Sequence, residues 1–264
     1  MRHTCLRWLA ASSLLLAVMS ASASTRPRYG GTLRISTSGI LNSIDPGDSP
    51  DSLLRRNITR MIFDTLVVVD DNGTIQPSLA DSWKSSSSGQ RWQFNLRHGI
   101  TFSDGSPLTS EIVAASLRKA NPSWAVLAQG DVVSLELEGG VSDFPAELSL
   151  PRNAIVRRGD KLLGTGPSVV SQWEPRHRLV LAARDDFHDG RVFLDSIELE
   201  MGKPLREQNI AFDLGQTDVI EIAAEQSRRG LTQERRLIHS SPTELMALLF
   251  ARNVESEAER KLRE

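Results

Sequence analysis

The segment from Ile197 to Ile222 carries the pattern that most limits the fold of this 264-residue chain. Its two ends, Ile197–Met201 and Asp218–Ile222, have the apolar spacing of short strands. Between them, Pro204–Leu214 is predicted to be a helix that ends near Gly215, which serves as the C-terminal cap. A strand, a helix and a second strand in this order favour parallel pairing. The sequence therefore predicts an α/β fold with a mixed β-sheet and flanking helices.

Other segments add strands and helices to this framework. Ser49 is predicted to cap a helix that has Pro50 in its first turn, and Thr109 is predicted to cap a second helix. Asn72-Gly73 predicts a tight hairpin turn. The predicted strands are Thr32–Thr37, Leu66–Asp70, the alternating Trp92, Phe94 and Leu96, the alternating Val133, Leu135 and Leu137, Leu179–Ala183, and Leu245–Phe250.

The N-terminus has the three parts of a secretory signal peptide. Arg2 and Arg7 precede an apolar run from Trp8 to Met19, and an Ala-Ser-Ala site ends at Ala23. The apolar run is too short to cross a bilayer, which requires roughly 20 residues. We therefore expect residues 1–23 to be removed and the mature protein to be periplasmic.

Composition excludes several classes of function. The formal net charge is −2, so the chain offers no electrostatic surface for nucleic acid. Its one cysteine, Cys5, lies in the predicted signal peptide. The mature chain is therefore expected to lack thiolate catalysis and cysteine-based metal sites.

No catalytic or metal-binding pattern is visible in the remaining residues. There is no Gly-x-Ser-x-Gly motif, and the mature histidines are scattered at positions 98, 177, 188 and 239. Asp185–Asp189 is interpreted as an acidic turn, because adjacent side chains point in different directions. Gly164-Thr165-Gly166-Pro167 lacks the lysine of a phosphate-binding loop and is interpreted as a close backbone crossing. We expect no enzyme activity, no metal and no cofactor.

Taken in order, several blocks of the sequence resemble the family 5 extracellular solute-binding proteins, the dipeptide- and oligopeptide-binding receptors of ABC importers. The strongest block lies between Trp83 and Val113. The others are Gly30-Gly31-Thr32-Leu33, Ile44-Asp45-Pro46, Phe63-Asp64-Thr65-Leu66, Gly164-Thr165-Gly166-Pro167 with Trp173, and Gly215-Gln216-Thr217-Asp218. Two features differ from the family pattern. Ser168 replaces the usual tyrosine, and the segment between Ala120 and Leu163 is shorter than usual.

The resemblance implies a periplasmic-binding-protein-like type II fold, in which two lobes close on a solute. It implies that residues 24–254 form the first lobe, with a trimmed small subdomain around 120–163, and that residues 255–264 are a truncated start of the second lobe. The second lobe itself is expected to be missing. A carboxylate that neutralises a peptide amine belongs to that lobe in relatives.

The resemblance also implies ligand-binding residues and partners. The loop after Asp45-Pro46 lines the cleft in relatives, and Trp124 falls near a cleft aromatic. This implies a site made of Gly47, Asp48, Ser49, Pro50, Asp51 and Trp124. The alternative is that these residues form a solvated surface. The implied partners are a peptide or other small ligand and the permease subunits of the transporter, and we expect a monomer.

Other functions remain open at this point. Relatives also bind nickel complexes, haem, opines or oligosaccharides, so the ligand class is not settled by the resemblance. A truncated lobe that binds nothing is a further alternative. A secreted hydrolase is disfavoured, because no nucleophile with a neighbouring base is visible.

Overall fold

The computed structural model describes residues 29–48 and 52–222. The helices are α1 Leu53–Ile62, α2 Ser110–Ala120, α3 Phe144–Leu148 and α4 Leu205–Asp213. The strands are β1 Thr32–Ser36, β2 Val67–Val69, β3 Ile75–Pro77, β4 Ala80–Ser85, β5 Arg91–Leu96, β6 Ala125–Gln129, β7 Val132–Glu136, β8 Arg157–Arg158, β9 Leu162–Leu163, β10 Ser168–Glu174, β11 Arg178–Ala183, β12 Ser196–Glu200 and β13 Val219–Ile220. None of the described helices is both long enough and apolar enough to span a bilayer.

The first sheet is mixed and has the order β10-β11-β12-β1-β13. β12 and β13 both pair with β1 in parallel, and Leu33 is aligned with Ile197. β10 and β11 extend the sheet in antiparallel pairs. The predicted strand–helix–strand unit is therefore confirmed, because α4 connects β12 to β13 and Gly215 follows it with a positive φ of 68°.

The second sheet is antiparallel and has the order β4-β5-β7-β6. Trp92, Phe94 and Leu96 are buried, and the residues between them on β5 are more exposed. This confirms the predicted alternation. α2 covers the sheet and begins as predicted, because the Thr109 side chain accepts a hydrogen bond from the Ile112 amide.

Each sheet has its own hydrophobic core. The core of the antiparallel sheet includes Leu66, Phe94 and Phe102, which are fully buried. The core of the mixed sheet includes Ile62, Leu179 and Leu199. The chain passes between the two cores before Leu66 and after Ile155, so the core of the mixed sheet is formed by residues from both sides of the stretch that forms the other core.

One of these passages is the Gly-Thr-Gly-Pro segment. The Gly166 amide donates to the Ile62 carbonyl oxygen at 3.0 Å, and the Ser103 amide donates to the Gly164 carbonyl at 2.9 Å. A Cβ built on Gly166 would lie 2.7 Å from the Ile62 carbonyl carbon. The predicted close backbone crossing is confirmed.

The start of α1 differs from the prediction. The capping residue is Ser52, whose hydroxyl accepts a hydrogen bond from the Arg55 amide at 3.2 Å, and the helix starts at Leu53. A capping oxygen must reach an amide two or three residues further along, and Ser52 meets that requirement. Ser49 and Pro50 lie outside the described residues, as do the predicted signal peptide, the predicted strand Leu245–Phe250 and residues 255–264.

Candidate functional site

Three segments meet where the parallel strands of the mixed sheet end. Thr37–Gly39 follows β1, Gly202–Lys203 follows β12, and Glu221 follows β13. We refer to these residues together as the carboxyl edge. In open α/β sheets, ligands bind at the carboxyl ends of parallel strands, since the loops that follow them are free to vary. The carboxyl edge is therefore a candidate binding site.

Backbone hydrogen bonds join the first two segments. The Thr37 amide donates to the Glu200 carbonyl at 2.9 Å, and the Lys203 amide donates to the Thr37 carbonyl at 3.0 Å. The Gly202 amide donates to the Gly39 carbonyl at 3.1 Å. The chain after β1 is thus held against the chain after β12 by backbone hydrogen bonds.

Gln208 on α4 joins the second segment to the third. Its side chain is fully buried. Its amide nitrogen donates to the Lys203 carbonyl at 2.8 Å, and its amide oxygen accepts from the Glu221 backbone N–H at 3.0 Å. Because a buried amide side chain must be paired, Gln208 fixes the ends of β12 and β13 at one separation.

The Glu221 carboxylate accepts hydrogen bonds from the residues that follow β1. One oxygen accepts from the Thr37 hydroxyl at 2.6 Å. The other accepts from the Ser38 amide at 2.8 Å and from the Ser38 hydroxyl. Burial by itself raises the pKa of Glu221, but the hydrogen bonds from Ser38 and Thr37 outweigh it, so that this pKa lies below its usual value. Glu221 is therefore ionised at neutral pH.

The loop that the family resemblance implies as ligand-binding lies before α1. The Gly47 amide donates to the Asp45 carboxylate at 3.0 Å, and the Asp48 amide donates to the Asp45 carbonyl at 3.2 Å. Arg158 pairs with both oxygens of that carboxylate, at 2.8 and 3.2 Å. Buried Arg55 donates to the Asp45 carbonyl at 2.7 Å. Gly47 and Asp48 are consequently exposed on a firmly anchored turn.

Two of these anchoring residues were not predicted. Arg55 lies on a helix and Arg158 on a short strand, and both have the appearance of surface arginines in the sequence. No local pattern indicates that they meet Asp45, which is separated from Arg158 by 113 residues. Ser49, Pro50 and Asp51 lie outside the described residues, so their placement beside Asp48 stays a prediction.

Trp124 is placed differently from the prediction. Its side chain is only 9% exposed and belongs to the core of the antiparallel sheet. Its ring meets the Phe144 ring edge-on, with the centroids 5.1 Å apart. The expectation that Trp124 faces a cleft is corrected by this contact, because α3 brings Phe144 over it. Edge-to-face packing of this kind is a common core arrangement.

Comparison with known proteins identifies the family. Residues 74–263 match the bacterial extracellular solute-binding proteins, family 5 Middle, and this match covers more than half of the chain. The chain belongs to this family. As a family 5 protein it has the fold class that the sequence predicted, a periplasmic-binding-protein-like α/β lobe with a mixed sheet.

Individual relatives support this assignment. The nickel-binding periplasmic protein of Escherichia coli strain K12 is 25% identical over 186 residues, which are 61% of this chain and 36% of that protein. The nickel ABC transporter structure from Bacillus halodurans is 28% identical, with a TM-score of 0.67 over 75% of this chain and 44% of the other. The oligopeptide-binding protein AppA of Bacillus subtilis, solved with a nonapeptide, is 20% identical with a TM-score of 0.69 and coverages of 77% and 46%. The chain spans less than half the length of these relatives.

The acidic turn of this family 5 protein directs its carboxylates to different arginines. Asp185 pairs with Arg191 at 2.7 Å, Asp186 with Arg184 at 3.0 Å, and Asp189 with Arg97 at 2.9 Å. Across residues 29–48 and 52–222, no group of three or more histidine, cysteine or acidic residues is arranged to hold a metal ion.

His188, in the same turn, is held between two carboxylates. Its ring is 10% exposed, with one nitrogen 3.3 Å from Asp64 and the other 3.1 Å from Asp189. Asp64 also accepts from the Thr165 hydroxyl at 2.9 Å. The hydrogen bond with Asp64 is the main reason that the pKa of His188 is raised. Burial opposes this effect, and Asp189 adds to it.

This raised pKa predicts how stability depends on pH. Since the folded pKa of His188 exceeds its unfolded value of about 6.5, its stabilising contribution is complete below that pH. The contribution is lost as pH rises through the folded pKa. We expect the free energy of unfolding of wild-type protein to fall over this range, and the His188→Gln variant to lose that part of the slope. Urea denaturation at a series of pH values measures both.

His98→Gln is the matched control, because the His98 ring is 81% exposed and lies 4.0 Å from Asp131. It should keep the wild-type pH profile of stability. Equal slopes for wild-type protein and His188→Gln above about pH 6.5 would contradict the prediction.

Proposed function

We propose that this chain forms one lobe of an extracytoplasmic solute-binding receptor, which delivers a small solute to the membrane permease of an ABC transporter. The observation that carries the proposal is membership of the family 5 solute-binding proteins over residues 74–263. The carboxyl edge and the anchored turn at Gly47-Asp48 supply exposed, fixed polar groups on this lobe. Fixed polar groups suit binding, because little freedom is lost when a ligand arrives. We propose no catalytic step.

Peptides are the ligand class that we propose first. An extended peptide can pair its backbone with the edge of a loop, and tolerant pockets then take its side chains. We propose that Gly47, Asp48 and the following residues Ser49, Pro50 and Asp51 line the cleft. Asp45 holds the turn at Gly47 and Asp48 through its ion pair with Arg158 and by accepting hydrogen bonds from their two amides, so the carbonyl oxygens of these two residues are kept in place for such pairing.

Nickel is the second candidate. It is favoured by one observation, the 28% identity with the nickel ABC transporter structure from Bacillus halodurans, which exceeds the 20% identity with AppA. The described residues offer no ready set of metal ligands, so nickel would have to arrive as a complex or use ligands from another part of the protein. If this lobe bound neither peptides nor nickel, both proposals would be refuted.

We also propose that residues 1–23 direct export and are removed, that residues 24–254 form the first lobe, and that residues 255–264 begin the second. The support is the charged, apolar and small-residue order of the N-terminus and the family match. The periplasm is then where the receptor meets its ligand. In this scheme the chain works as a monomer that docks on a permease.

The experiment uses the whole sequence, expressed in a Gram-negative host and purified from the periplasm. Mass spectrometry should find Ser24 at the N-terminus. ¹⁵N NMR titration with di- to pentapeptides and with nickel chloride should then shift the Gly47 and Asp48 amides, with millimolar affinity for peptides. Weak binding is expected because a single lobe covers one side of a ligand, whereas closed sites bury roughly 70–90% of its surface.

Asp48→Ala should weaken the shifts. Asp71→Ala, which removes an exposed carboxylate from the β2–β3 turn, should leave them unchanged. If neither peptides nor nickel move the Gly47 and Asp48 amides, the receptor proposal fails. Micromolar binding of a peptide would show that this lobe carries most of the recognition, contrary to the expected division between two lobes.

A further inference from the structure

We propose that Glu221 is a receptor for the ammonium group of the ligand, so that the carboxyl edge selects solutes with a free amine. This inference rests on the proposed receptor function and extends it by naming the chemical group that this lobe recognises. It places an amine-binding carboxylate on the first lobe, in addition to any that the second lobe contributes.

The geometry supports this because the carboxylate is fixed before any ligand arrives. Thr37 and Ser38 supply three hydrogen bonds to its two oxygens, and Gln208 holds its backbone N–H. Thr37 is held in turn, since its hydroxyl also accepts from the Gly39 amide at 3.0 Å. An ionised carboxylate has about four acceptor positions, so room for a further donor remains. Because the side chain is already ordered, binding of a further donor causes little additional loss of conformational entropy.

The charge supports it because Glu221 has no cationic partner in the part of the chain that the structure describes. Two other carboxylates of the described residues do have one. Glu200 lies 3.6 Å from the Lys203 ammonium, and Asp45 lies 2.8 Å from the Arg158 guanidinium. Within residues 29–48 and 52–222, all the hydrogen bonds that the Glu221 carboxylate receives come from neutral groups, so these residues leave its negative charge uncompensated. A ligand ammonium is the group that would compensate it, through a charge-assisted hydrogen bond.

A purely structural role for Glu221 would not need this charge. Joining the end of β13 to the end of β1 requires an acceptor for the two Ser38 donors, which a neutral glutamine oxygen provides, and the Thr37 hydroxyl can turn to accept from the glutamine NH2 group. Glu221→Gln therefore separates the two roles, since it keeps an acceptor and removes the charge.

The test compares two probes that differ only at the amine, trialanine and N-acetyl-trialanine. ¹⁵N NMR titrations of the 264-residue chain follow the Ser38 and Glu221 amides, together with the Gly47 and Asp48 amides of the anchored turn. Trialanine should shift the Ser38 and Glu221 amides, and the acetylated probe should bind about tenfold more weakly, as expected for loss of a hydrogen bond to a charged group. Glu221→Gln should bind both probes equally. Glu136→Gln, which removes a charge paired with exposed Arg91 on the other sheet, should keep the preference.

The outcomes distinguish this inference from the proposed function. If both probes shift Gly47 and Asp48 with equal affinity and leave Ser38 unmoved, the receptor proposal stands and the amine site is wrong. In a second outcome, trialanine shifts the Ser38 amide of the wild-type protein, binds no more tightly than the acetylated probe in Glu221→Gln, and leaves the Gly47 and Asp48 amides unmoved. The amine site then stands and the proposed ligand-binding loop is wrong. A preference for trialanine that survives in Glu221→Gln, or no shift with either probe at millimolar concentration, overturns the amine site.

Discussion

Replacing Gly164 by alanine is expected to destabilise the protein by at least about 3 kcal/mol, at the upper end for an overpacked core. A Cβ at this position would overlap the carbonyl oxygen of Ile62 and would lie 2.6 Å from Cδ1 of Phe63. The Ile62 oxygen is not free to move, because it accepts the Gly166 amide at 3.0 Å. The methyl group can therefore be accommodated only by separating α1 from the segment that crosses it. Chemical denaturation followed by tryptophan fluorescence measures the loss.

Gly139→Ala is the control for this substitution. A Cβ at Gly139 would meet nothing within 4 Å, and the residue does not have a positive φ. Alanine there should be neutral or should stabilise slightly, because it reduces the freedom of the unfolded chain. A loss below about 1 kcal/mol for Gly164→Ala would mean that the crossing is looser than the contact with Ile62 indicates.

Replacing Arg184 by methionine is expected to cost about 3 kcal/mol, because each buried acceptor that loses its donor costs about 1–3 kcal/mol. Arg184 is 5% exposed. Its guanidinium donates to the carbonyls of Thr165 and Phe102, at 3.1 and 3.3 Å, and pairs with Asp186 at 3.0 Å. These carbonyls belong to the Gly-Thr-Gly-Pro crossing and to the loop after β5. Methionine has a similar volume but supplies no donor. The Thr165 carbonyl would then be left without the donor that it has in the wild-type protein, and the Phe102 carbonyl would keep only the Gly105 amide.

Arg91→Met is the matched control, because Arg91 pairs with Glu136 on the surface and its side chain is 62% exposed. Exposed ion pairs contribute about 0–1 kcal/mol, so the control should lose little stability. Urea denaturation of the two variants under one set of conditions gives the comparison. Equal decreases in the free energy of unfolding would show that the contacts of Arg184 stabilise the protein no more than a surface ion pair does.

Much of the fold could be predicted because its signals are local. The alternation of Trp92, Phe94 and Leu96 reports directly on a strand with one buried face. Thr109 marks the start of α2, since the hydrogen bond that defines a cap spans only three residues. The Gly-Thr-Gly-Pro motif indicated a close crossing, because glycines without a turn or a phosphate site to explain them favour contact between backbones.

The site was less predictable because its contacts join distant residues. Trp124 was expected in a cleft because of the family resemblance, whereas its ring is buried by Phe144 on a separate helix. Glu221 meets Ser38 across 183 residues, and nothing near either residue in sequence indicates the contact. The buried role of Arg184 had no signal either, since the acidic residues beside it suggested a solvated turn.

The interior position of β1 in the mixed sheet, between β12 and β13, constrains the order in which the chain can fold. β1 is among the first described elements, yet its partners are β12 and β13, and Thr32 is aligned with Ser196. The antiparallel sheet, by contrast, is assembled entirely from residues between Ala80 and Glu136. Closing the longer loop costs more chain entropy, and contacts of wide sequence separation form slowly. During synthesis, β1 therefore cannot pair until the chain beyond Ser196 is available. The ends of β1 and β13, where Glu221 is bound, are expected to be among the last parts of the lobe to be joined.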